Sequence, residues 1–134
     1  MVGETDLRAL LAGMSPRLLA DEYVFCSFPG GQYGDHRQLQ PIATMVEEEG
    51  LSLVVPRARV DKAGLEYASV MRCIGLQIHS SLEAVGLTAA FASALADKGI
   101  SANVVAGYHH DHIFVAAGDA DRAITTLKAL SKGS

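Results

Sequence analysis

The chain has 134 residues and a formal net charge of −4, and 49% of its residues are hydrophobic. This composition fits one compact domain, or two very small interlocked ones, with a real hydrophobic core. Lysine and arginine are scattered, which argues against nucleic acid as a partner, and no apolar run is long enough to span a membrane.

The N-terminal half is predicted to contain short helices and three strands. A first helix can be capped by Thr5 or Asp6 and is ended by Gly13 and Pro16. Strand-like runs follow at residues 23–28, 41–46 and 51–55. The last two flank a run of glutamates that is typical of a solvated hairpin turn. The stretch between the first two runs, residues 29–40, is predicted to be loop, because its glycines at 30, 31 and 34 and its polar residues 35–38 offer nothing to pack. One or two helical turns are expected at residues 60–64.

The C-terminal half alternates more clearly between strands and helices. Residues 70–79 have strand periodicity, residues 87–98 have helical spacing, and residues 100–108 and 112–117 are predicted strands before a last helix that Asp119 can cap. The order is β-α-β-β-α, which is the ferredoxin-like order without its last strand. Because an open sheet edge is a pairing liability, we expect the N-terminal half or a partner chain to supply that strand.

The two cysteines and the N-terminus both favour a cytoplasmic protein. Cys26 and Cys73 lie in apolar, strand-like stretches and lack CxxC spacing, which indicates buried reduced thiols rather than a disulfide. The first residues are acidic and contain no basic leader, so no secretory signal is visible.

A short polar loop between a predicted strand and a predicted helix is the first candidate for a binding site. The sequence IHSSLEAVGL, residues 78–87, passes directly from one element to the other. Such a turn leaves backbone N–H groups at the helix N-terminus, where they can hold a small carboxylate. The alternative is structural: Gly86 would form a tight turn, and Glu83 would complement the helix dipole.

A histidine cluster is the second candidate for chemistry. Residues two apart on a strand share a face, so His110 and His112 could hold a divalent metal together with a carboxylate such as Asp111. A metal site needs three or four ligands, and only His79 is another candidate nearby. We therefore expect a polar hairpin with partly buried imidazoles and no metal.

Other catalytic and phosphate-binding patterns are weak. Ser80 or Ser81 with His79 and Asp111 has the residue types of a catalytic triad, but neighbours on a strand point to opposite faces and no nucleophile elbow is present. The glycine-rich stretch at residues 29–31 has neither the spacing nor the lysine of a phosphate-binding loop.

Residues 67–130 resemble an ACT domain, a small regulatory module that binds amino acids. The resemblance rests on the loop at residues 80–86, the helix-to-strand passage at residues 99–103 and the sequence DHIFV at residues 111–115. A weaker match at residues 22–59 rests on residues 42–44 and 51–56. The chain is similar to small bacterial proteins with two ACT domains and no attached enzyme, to the regulatory ACT pairs of aspartate kinases, and to the cytosolic arginine sensors of animals.

This resemblance implies an α+β fold of two ferredoxin-like, βαββαβ-related units, with antiparallel sheets and helices on one face. Residues 1–64 would form a degenerate N-terminal unit, and residues 65–134 would form the C-terminal ACT domain. It implies a non-catalytic sensor that binds an amino acid or similar small metabolite, uses no cofactor and acts through ligand-dependent association. Low charge content and the open strand order favour a homodimer, and a regulated enzyme or transporter is the other expected partner.

The resemblance also implies which residues bind the ligand. In such families the amino acid lies between two ACT units, beside the loop between the first strand and first helix. The loop residues expected to contact it, mainly through backbone groups, are Ser80, Ser81, Leu82, Glu83, Val85, Gly86, Leu87 and Thr88. Ala84 stands where the arginine sensors carry a glutamate that contacts the guanidinium group, so arginine specificity is not implied.

Three further residues are expected at the ligand. Asn103, followed by Val104, occupies the place where aspartate kinases use a strand residue, and Asp111 falls where the arginine sensors place an acidic residue. Each has a structural alternative, because Asn103 can satisfy backbone groups at a strand edge and Asp111 is a good turn residue.

Two other functions remain open from the sequence. The first is a small metal-binding or catalytic protein that uses His110, Asp111 and His112. The second is an interaction-only module whose ligand pocket has degenerated.

Overall fold

The computed structural model describes residues 7–77 and 86–133 of the chain. These residues contain an alternation of strands and helices close to the predicted one. The elements are α1 (Leu7–Ala12), β1 (Arg17–Pro29), β2 (Ala43–Glu47), β3 (Gly50–Pro56), α2 (Arg57–Ala63), β4 (Val70–Gln77), α3 (Leu87–Asp97), β5 (Asn103–Ala106), β6 (His110–Ala116) and α4 (Ala120–Ser131). Short 3-10 turns lie at Arg37–Leu39 and Ala117–Asp119.

The described chain divides into two compact units. The first unit consists of residues 7–19 and 73–133, and the second consists of residues 20–72. The boundaries fall inside β1, after Leu19, and inside β4, after Arg72. The sequence-based division of the chain after Gly64 stays a prediction.

The first unit is a sheet with helices on one face. Strands β4, β6 and β5 lie in that order, and β5 pairs antiparallel with β6. The first residues of β1 lie beside β4, where the carbonyl oxygen of Arg17 comes close to Gly75. The N-terminal half of the chain therefore supplies the strand that is missing from the β-α-β-β-α order of the C-terminal half. The prediction of an α+β fold with antiparallel strands is confirmed.

The core of the first unit is formed by apolar residues that alternate along the strands and recur at helical spacing along the helices. Ile74 and Leu76 of β4 lie on one face of the sheet, because strand side chains alternate between faces. They pack against Phe91 and Leu95, which are four residues apart on one side of α3. Leu127 of α4 is buried in the same cluster. The opposite face of the same strands carries the odd-numbered residues of β4 and the even-numbered residues of β6.

The second unit has the strand order β2, β3, β1, with both pairs antiparallel. The predicted hairpin is confirmed, because Glu47 pairs with Gly50 across an exposed turn of glutamates. Its core is separate from that of the first unit. The buried members are Val24, Cys26, Leu39, Leu51, Leu53, Val55 and Val60.

Three features differ from the sequence-based expectation. β1 begins at Arg17 rather than at residue 23, because its first half, RLLADE, does not alternate between apolar and polar residues. The predicted loop at residues 29–40 contains a 3-10 turn, Arg37–Leu39, which buries Leu39 to 3% exposure. Asp119 precedes α4 but makes no side-chain cap; its carboxylate accepts a hydrogen bond from Arg122 instead, at 3.0 Å.

Both cysteines are buried and free, as the sequence predicted. Burial raises the pKa of the Cys26 thiol, and it raises the pKa of the Cys73 thiol to about 11. Among the helices of residues 7–77 and 86–133, none is long and apolar enough to cross a membrane.

Candidate ligand-binding site

The predicted binding loop lies largely outside the residues that the structure describes. Gly86, Leu87 and Thr88 are described and stand at the start of α3. The members that fall outside are Ser80, Ser81, Leu82, Glu83 and Val85, and His79 falls outside with them. The described part of the candidate site consists of the start of α3 and the strands around it.

Gly86 opens α3 in the left-handed conformation, with φ of 93°. Glycine suits this position because any Cβ would be strained at such a φ. The Gly86 carbonyl accepts the hydrogen bond of the Ala90 N–H at 2.9 Å, which closes the first helical turn. Leu87 points into the first unit's core, whereas the Thr88 side chain is exposed. The first N–H groups of a helix have no partner inside it, so they remain for a ligand or solvent.

Asp111 lies on the core side of β6. It pairs with Ala106 of β5 and is only 8% exposed, so it is a strand residue and not the turn residue of the structural alternative. Burial raises the pKa of the Asp111 carboxyl, and the nearby His112 lowers it in part. The start of β6 lies near Gln77, the last described residue before the loop, because His110 and Gln77 line the same cavity. Asp111 is thus at the loop end of the unit.

Asn103 lies at the other end of the β5–β6 ladder. It pairs with Phe114, and its side-chain Nδ2 donates a hydrogen bond to the Phe114 backbone carbonyl at 3.3 Å. Val104 beside it is half-buried and packs against the first unit's core. Asn103 is three positions along β5 from Ala106, the partner of Asp111, which corresponds to roughly 10 Å along the strand. The structure therefore does not bring Asn103 and Asp111 of one chain together.

A cavity of about 250 Å³ opens on the face of the first unit's sheet that the helices leave uncovered. His110 and His112 line it together, in agreement with their two-residue spacing. The other lining residues are Ser15, Arg17, Leu19, Gly75, Leu76 and Gln77. Sequence reasoning missed Arg17, because β1 was predicted to begin six residues later.

The cavity does not unite the histidines with the predicted carboxylate. Asp111 alternates with His110 and His112 and so points to the opposite face of β6. Within the described parts of the chain, no three His, Cys, Asp or Glu side chains are grouped closely enough to hold a metal.

Two family models identify the chain. Each is described as an ACT domain, and they match residues 2–72 and 68–129.

The chain belongs to the ACT-domain family.

The resemblance seen in the sequence is confirmed, and the two matches follow each other, so this ACT-domain protein carries the domain in tandem. ACT domains are regulatory modules, and membership of the family supports a regulatory role that involves binding a small molecule. None of the curated proteins compared with the chain matches it.

Solved structures agree with this assignment. VC0802 from Vibrio cholerae, described as a protein of unknown function and possible transport protein, is 50% identical, with a TM-score of 0.84 over 93% of this chain and 95% of its own. Atu0741 from Agrobacterium tumefaciens is 18% identical, with a TM-score of 0.61 over 87% of both chains. The ligand-free regulatory subunit of aspartate kinase from Thermus thermophilus is 11% identical, with a TM-score of 0.61 over 88% of this chain and 98% of its own. The last two share the fold.

Proposed function

We propose that this ACT-domain protein is a non-catalytic sensor that binds an amino acid or a similar small metabolite. The tandem ACT match carries this proposal. The ligand would favour one association state of the protein over another, and the resulting change would regulate an enzyme or a transporter. The protein would act in the cytoplasm. A division after Gly64 would separate an N-terminal unit from the C-terminal ACT domain.

The ligand carboxylate would lie at the N-terminus of α3. The backbone N–H groups of Leu87 and Thr88 and the positive end of the helix dipole favour an anion there. The preceding loop residues, from Ser80 to Val85, would complete the contacts. Asp111 is buried at the same end of the unit and would accept hydrogen bonds from the ligand's ammonium group.

Asn103 would join this site from a second copy of the chain. β5 is the last strand in the order of the first unit, so its outer edge is open for pairing among the described strands. If the β5 strands of two copies pair antiparallel, the first residues of one strand lie opposite the last residues of the other. That pairing would bring Asn103 to the end of the partner copy where the loop and α3 begin, with Val104 next to it in the new ladder. The site is therefore complete only in a homodimer.

The test combines a ligand screen with variants of α3. Thermal shift with each of the twenty amino acids should give a rise of melting temperature with a specific ligand, because binding to the native state stabilises it. Thr88→Pro removes one N–H group in the first helical turn, where proline is tolerated, and should abolish the shift. Thr88→Ala keeps the N–H group and changes only an exposed side chain, so it should retain the shift.

Two results would reject the proposal. No response to any amino acid at millimolar concentration would favour an interaction-only module. If the ligand raises the melting temperature of the Thr88→Pro and Thr88→Ala variants equally, the N-terminus of α3 is not part of the binding site. Sedimentation of the protein with and without ligand measures whether binding changes association.

A further inference from the structure

We propose that the cavity on the helix-free face of the first unit is a second binding site, which takes a small anion bearing a phosphate or carboxylate group. It differs from the proposed amino-acid site in position and in chemistry. Arg17, His110 and His112 line it, whereas the start of α3 packs on the other face of the same strands.

The side chains that can donate hydrogen bonds in this cavity come from three strands and from the segment between α1 and β1. β1 contributes Arg17, β4 contributes Gln77, and β6 contributes the imidazoles of His110 and His112. The Ser15 hydroxyl lies between α1 and β1 and lines the same space. A guanidinium group matches the geometry of phosphate and carboxylate oxygens and binds them through paired hydrogen bonds. Because the sheet fixes the backbone positions of these residues, no strand has to move for them to meet one ligand.

The charge of the lining is positive although the protein is negative overall. The chain has a formal net charge of −4, yet none of the described residues that line the cavity is an aspartate or a glutamate. Asp111 is next to both histidines in sequence but faces the core. Among the described residues, no carboxylate forms an ion pair with Arg17. An anion that enters the cavity would thus meet the Arg17 guanidinium and further hydrogen-bond donors, whereas a metal cation would be repelled by the guanidinium group.

The space available sets the size of the ligand. The cavity has a volume of about 250 Å³, which is below the range typical of sites for drug-sized molecules. Gly75 contributes to this space, since a Cβ built there would have only ordinary contacts, 3.9 Å from the Arg17 carbonyl oxygen and 3.9 Å from Leu19 Cδ2. A free phosphate, a small dicarboxylate or a short phosphorylated metabolite fits these limits.

The test uses inorganic phosphate and malonate as separate probes, at constant ionic strength. Ring resonances of the histidines are followed by NMR in the full-length protein. We expect saturable shifts of the His110 and His112 signals with at least one probe, and no comparable shift of His36, which is stacked on Phe28 in the second unit. Binding of phosphate alone, of malonate alone, or of both in competition assigns the anion class.

Matched variants locate the site. Arg17→Gln should weaken binding at least about tenfold, because charge-assisted hydrogen bonds are lost. Arg37→Gln makes the same charge change in the second unit and should leave affinity unchanged. Gly75→Ala adds one methyl group without a clash, so it should lower affinity and leave the fold intact.

Two outcomes would overturn the proposal. The first is no saturable shift of the His110 and His112 signals with either probe. The second is equal weakening by Arg17→Gln and Arg37→Gln, which would mean a general effect of net charge. The amino-acid screen is independent of this result, because Arg17→Gln should retain any amino-acid shift and Thr88→Pro should retain anion binding.

Discussion

Asn103 and Phe114 face each other across the β5–β6 ladder, and the Asn103 side-chain Nδ2 donates a hydrogen bond to the Phe114 backbone carbonyl at 3.3 Å. This bond adds a side-chain link at the start of an edge strand. It also uses the donor end of the amide, so the oxygen end is the part of Asn103 that can accept a hydrogen bond from a ligand's ammonium group.

Two substitutions of Asn103 separate its structural contact from its proposed role at the ligand. Asn103→Ala removes both ends of the amide and should lower stability by about 1 kcal/mol, since one hydrogen bond is lost, and should also weaken amino-acid binding. Asn103→Asp loses the donor and keeps an acceptor, so stability should fall while binding persists. Chemical denaturation and ligand titration measure the two effects. Binding unchanged in Asn103→Ala would leave this residue with its structural role alone.

The buried Asp111 carboxylate should lower the free energy of unfolding at neutral pH. Burial raises its pKa in the folded protein above the ordinary value, so the native state binds more protons than the unfolded state between the two pKa values. The free energy of unfolding is then highest below the pKa that the Asp111 carboxyl has in the unfolded chain. It falls as the pH rises through the higher pKa that this carboxyl has in the folded protein. Asp111→Asn should therefore be more stable than the parent protein at pH 7, and the difference should shrink on acidification towards the ordinary carboxyl pKa of 3.8.

Denaturation curves measured across this pH range check the Asp111 prediction. If Asp111 also contacts the ligand, the same Asp111→Asn variant should lose amino-acid affinity while it gains stability. A variant that is less stable than the parent at pH 7 would contradict the cost assigned to the buried carboxylate.

Both steric overlap and backbone conformation disfavour any side chain at position 50. It has φ of 145°, and a Cβ there would overlap the Phe28 carbonyl oxygen and the Gly30 amide nitrogen. Gly50→Ala should destabilise the protein by about 3 kcal/mol, because strain and overlap add. Gly64 also has a positive φ, of 71°, but a Cβ there would meet nothing within 4 Å. Gly64→Ala is thus a matched control and should cost only about 1 kcal/mol.

Thermal and chemical denaturation measure the loss of stability in Gly50→Ala and in Gly64→Ala. Similar losses at both positions would show that backbone conformation alone decides the cost and that the close approach at Gly50 relaxes easily.

The thiol of Cys73 should be inert in the folded protein. It is fully buried, and burial raises its pKa to about 11, so almost no thiolate exists at pH 8. A Cys26→Ser variant isolates this thiol, and iodoacetamide should label it only after denaturation. Because the unfolded thiol ionises first, stability should fall as pH rises from 9 towards 11. Labelling of the native variant at the rate of a free cysteine would contradict the burial of Cys73.

Local periodicity determined the secondary structure and most of the core. The alternation through Ile74 and Leu76 gave β4, and the helical spacing of Leu87, Phe91 and Leu95 gave α3, because these patterns repeat within one element and need no distant partner. The shared face of His110 and His112 follows from the same rule. The ACT resemblance came from residues in three short stretches of the C-terminal half.

Tertiary structure decided which residues from distant elements meet. Arg17 reaches the cavity of His110 because β1 extends beside β4, and the sequence at residues 17–22 has no strand-like alternation that would indicate this pairing. Leu39 is buried by a packing partner rather than by a local pattern. Asn103 and Asp111 are eight positions apart and looked like one site, but an antiparallel ladder places them at its opposite ends. Sequence spacing fixes the face of a strand on which a residue lies, whereas strand register and strand order fix its neighbours.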